Sequence, residues 1–78
     1  MINQSELNDI ISRLRDIANK SDKFQLSQGD DGRIFQIMPI VLNGDHESLP
    51  SITQQELESI PPDVACDLIE EFKEKFSH

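Results

Sequence analysis

The chain has no tryptophan or tyrosine, a single cysteine, only three glycines, and beyond residue 44 two lysines and no arginine. Each scarcity closes off a class of function. Without Trp or Tyr, any stacking platform for bases or sugars falls to four phenylalanines, and most of these occupy core-facing positions. The lone Cys66 excludes an internal disulfide framework and suits a reducing compartment, so the expected location is cytoplasmic. None of the glycines stands in a strand-to-helix phosphate cradle, so neither a P-loop nor a dinucleotide fingerprint is present. No run approaches the ~18 apolar residues that a membrane span needs, and Met1 to Asn19 is amphipathic and acid-bearing, unlike a targeting segment.

What is there in excess is negative charge, unevenly placed. Residues 45–78 hold nine Asp or Glu against two Lys, whereas residues 1–44 hold six acids against five bases. Anionic head groups and phosphate backbones repel such a surface, so membrane association and direct nucleic-acid binding are both disfavoured. At 78 residues the chain reads as one domain, 1–78, of a size that hides only about 60% of the surface its unfolded form exposes.

Hydrophobic spacing lays out the elements. Leu7, Ile10, Ile11, Leu14, Ile17 and Ala18 form one helical stripe, with Asn3 and Glu6 spaced as a capping pair and Asp9–Arg13 and Asp16–Lys20 as supportive pairs four apart. This predicts a helix over 4–20. Phe24 and Leu26 alternate with polar residues, and Gly29-Asp30-Asp31-Gly32 supplies residues suited to a tight turn, so a hairpin follows. Its return strand runs from Arg33 to Leu42 almost without polar interruption, and both faces are greasy. Either a helix covers each face or one face meets a second copy, with Phe35, Ile37, Pro39 and Val41 as the self-association set. Pro39 belongs at an edge or a bulge.

Residues 43–51 read as an exposed loop, with an alternative in which Asn43-Gly44 turns the chain into a short third strand from Ser48 to Ile52. Thr53 and Glu56 form a second capping box that opens a short helix over 54–59. Pro61-Pro62 stops it, and with Asp63 behind them the same prolines start a last helix whose Ala65, Leu68, Ile69, Phe72 and Phe76 share a face. The predicted fold is α+β, in the order α-β-β-(short α)-α, an antiparallel hairpin packed by terminal amphipathic helices.

Chemistry finds little purchase in this layout. His46 lies between Asp45 and Glu47 in a loop, His78 is the last residue, and Cys66 is flanked by Asp63, Asp67, Glu70 and Glu71, which disfavour a reactive thiolate. Its bland role is a small side chain at the edge of the core. Asp45-His46-Glu47 and the Asp30-Asp31 turn lack the spacing of zinc or calcium sites, so no metal or cofactor is expected. The expectation is binding rather than catalysis. Glu56, Glu58, Asp63, Asp67, Glu70, Glu71 and Glu74 make a negative face that fits a protein partner with a basic surface, and mimicry of nucleic acid is its extreme form.

Overall fold

The computed structural model describes residues 3–41 and 49–76. Helix α1 (Gln4–Lys20) begins where Asn3 accepts the Glu6 amide at 2.8 Å. It ends where the Ser21 hydroxyl donates to the Ile17 carbonyl at 2.6 Å, occupying an acceptor that the helix itself leaves open. Strands β1 (Lys23–Gln28) and β2 (Ile34–Ile40) pair antiparallel, followed by α2 (Gln54–Glu58) and α3 (Pro62–Phe76). The α+β architecture and the element order agree with the sequence pattern. Leu49 to Ile52 carry no strand, while Ser48 and the Asn43-Gly44 turn lie outside the described residues.

The hairpin turn depends on Gly32, whose φ of 86° favours glycine and whose missing Cβ would sit 3.1 Å from the Pro62 side chain. The Asp31 carboxylate accepts the Arg33 amide at 3.0 Å and closes the turn against the start of α3.

All three helices cover the same face of this two-stranded sheet. The core is Leu7, Ile10, Leu14, Ile17 and Ala18 from α1, Phe24 and Ile34 from the strands, Leu57 and Ile60 from α2 and the turn after it, and Ala65, Leu68 and Phe72 from α3. Phe24 and Phe72 meet edge to face with ring centroids 5.0 Å apart. No helix covers the other side of the hairpin among the described residues, so Phe35, Met38 and Ile40 stay about half exposed.

A bulge decides which residues those are. Ser27 pairs with Gln36 and Gln28 with Ile34, so Phe35 is an extra residue on β2. The insertion shifts the in-and-out alternation by one position. Ile34 is fully buried, yet Ile37 and Pro39 are the half-buried residues further along, opposite Leu26 and Phe24. Phe35, Ile37, Pro39 and Val41 therefore do not share a face. Phe35 is outward, Ile37 packs against the core, Pro39 is half-buried beside it, and Val41 is half-buried just past the strand.

Candidate functional site

Helix α3 carries its carboxylates in a regular line. Asp63, Asp67, Glu70 and Glu74 are spaced four, three and four apart, which at 100° per residue holds them within one narrow sector of the helix over about 16 Å. All four are exposed, and none forms an ion pair among the described residues. The opposite sector buries Ala65, Leu68 and Phe72, so burial of the apolar stripe is what turns the acids outward.

Two other members of the expected negative face are engaged elsewhere. Glu71 lies one sector round, towards α1, and accepts two hydrogen bonds from Arg15, from Nη2 at 3.1 Å and from Nε at 3.2 Å. Glu56 has a denser set of partners. Its carboxylate is gripped by both terminal nitrogens of Arg13, and it also accepts the Thr53 backbone amide at 3.1 Å while Thr53 Oγ1 accepts the Glu56 amide. Arg13 in turn pairs with Asp9 at 3.0 Å and donates to the Ser51 carbonyl at 2.9 Å.

These contacts hold the Glu56 carboxyl down at about 2, chiefly through the Arg13 hydrogen bonds and then the Thr53 amide. The same pairing raises Arg13, and Glu71 raises Arg15 in the same way. Glu56 and Glu71 thus tie α1 to α2 and α3 and are spent on the fold. Glu58 is exposed on α2, apart from the α3 line.

Cys66 is exposed on α3 with Sγ 3.5 Å from the Gln28 side-chain amide, not tucked into the core edge as its size suggested. Among the described residues no three His, Cys, Asp or Glu side chains converge as a metal site, and no helix is long and apolar enough to cross a membrane. His46 and His78 lie outside the described residues. No protein-family model, curated protein or solved structure matches the chain.

Sequence spacing alone placed the four aligned acids but not the two engaged ones, because Arg13–Glu56 and Arg15–Glu71 join residues 43 and 56 positions apart. The exposure of Met38 and Ile40 is hidden from sequence spacing for a different reason. Strict alternation from Phe35 puts them on the inner face, and only the bulge brings them out.

Proposed function

We propose that the chain is a small protein-binding module, an adaptor or an inhibitor, that docks on a basic partner surface through α3. The observation that supports this reading is the line of Asp63, Asp67, Glu70 and Glu74, exposed and in no ion pair among the described residues, while the nearby Glu71 is neutralised by Arg15. A one-signed line on a rigid helix steers an oppositely charged partner and repels wrong ones. Where the partner's basic surface normally carries phosphates, the same line competes with DNA or RNA, and the module acts as a nucleic-acid mimic. A single exposed thiol and no disulfide suit the cytoplasm.

The test is capture from the native host's lysate. Wild type should retain a partner at low salt and release it at high salt, because exposed charges are screened over about 10 Å at 0.1 M. Asp67→Lys with Glu70→Lys should retain none and slow association with the purified partner by tenfold or more. Equal capture by both proteins defeats the reading. These two positions are chosen over Glu71, whose reversal would also break the contact with α1.

The bare outer face of the hairpin favours a second reading, a homodimer formed over Phe35, Met38 and Ile40. Two strands alone make a poor sheet, and a second copy would shelter this one. Sedimentation at micromolar concentration decides: a dimer that Met38→Glu dissociates supports it, and a strictly monomeric wild type removes it.

A further inference from the structure

Beside the acidic line, and independent of it, α3 forms one wall of a groove of about 370 Å³ whose other wall is β1. The lining residues are Lys23 to Leu26 on the strand and Ile69, Phe72, Lys73 and Phe76 on the helix. Four consecutive strand residues, alternately inward and outward, line the same space. Only the edge of a strand presents all four at once, so the groove runs along the backbone edge of β1. That edge has no neighbouring strand among the described residues, since the sheet order is β1-β2. An unpaired edge offers a row of amides and carbonyls to an incoming chain.

The two walls match in length. Ile69 to Phe76 covers eight residues of helix, seven steps or about 10 Å at 1.5 Å per step, and Lys23 to Leu26 spans about 10 Å of strand. An extended chain places same-side residues about 6.7 Å apart, so two apolar side chains fit over Ile69, Phe72 and Phe76. Charge specifies the occupant further. Among the described residues no carboxylate lines this groove, whereas Lys23 and Lys73 do, and neither of them forms an ion pair with another described residue.

We propose that the groove between β1 and α3 binds an extended peptide segment of a partner protein, which adds to β1 as a third strand, inserts two alternate apolar side chains against Ile69, Phe72 and Phe76, and sets acidic side chains against Lys23 and Lys73.

Selection of random octapeptides against the full chain tests this without a known partner. The expected winners alternate apolar residues with Asp or Glu. Synthesised, they should shift the amide resonances of residues 23–26 and 69–76, lose binding when a backbone amide facing β1 is N-methylated, and bind about tenfold more weakly to Lys23→Glu with Lys73→Glu. The variant should keep the wild-type thermal midpoint, since both lysines are exposed. Selection that never rises above background, peptides that map elsewhere, or binding indifferent to N-methylation each overturn the proposal and leave Lys23 as a charge that blunts a sheet edge.

Discussion

Leu14→Ala is expected to cost about 2–5 kcal/mol of folding stability. Leu14 is fully buried at the middle of α1. Arg13 reaches from one side of it to α2, and Arg15 from the other to α3. Alanine favours a helix more than leucine does, so propensity does not add to the loss and the whole effect is missing contact and residual cavity. A chain of 78 residues has a total stability of roughly 4–12 kcal/mol at ~0.05–0.15 kcal/mol per residue, so one such cavity takes a large share. Urea titration reads it as a lower midpoint at unchanged slope, and Ser12→Ala on the exposed side of the same helix should stay within about 0.5 kcal/mol of wild type. A loss below about 1 kcal/mol for Leu14→Ala would mean that the helices close over the gap and the core is not held as described.

The second large effect is in pH. Glu56 has a folded value near 2 against an ordinary 4.5, so the folded state prefers its ionised form. Its contribution is complete above about 4.5 and drains away as the pH falls towards 2, when protons reach the unfolded chain before the folded one. Wild type should therefore lose stability steeply across that window. Glu56→Gln keeps the length of the side chain but has no charge to lose, so it should start less stable at pH 7 and decline less on acidification. The check is the difference between the two urea midpoints at pH 7 and at pH 3. It should shrink, and a constant difference would mean that the Arg13–Glu56 contact contributes nothing that titrates.

The helices were legible because their determinants are local. Thr53 and Glu56, spaced three apart, form the full reciprocal capping box at the start of α2, and Asp9–Arg13 and Asp16–Lys20 stand at 3.0 and 3.3 Å. What the pattern concealed depends on partners distant in sequence. The Arg33 to Leu42 run looked greasy on both faces, and nothing local says that Phe35 is inserted, since the bulge arises from how β1 meets β2. Nor does helical spacing say that every helix gathers on one side. The candidate site was half visible for the same reason: solvent-facing acids on a single helix follow from its periodicity, whereas the loss of Glu56 and Glu71 to distant arginines does not.

The bulge at Phe35 also leaves the molecule two-natured, with Phe35, Met38 and Ile40 oily on the outer plane of its hairpin while the acids of α3 are turned away from that helix's buried stripe. In neutral solution eight excess negative charges keep the oily planes of separate molecules apart. Near the isoelectric point, about pH 4.4, that colloidal protection vanishes just as Glu56 begins to be tested, so clouding and unfolding share one stretch of the acid titration and only dilution pulls them apart.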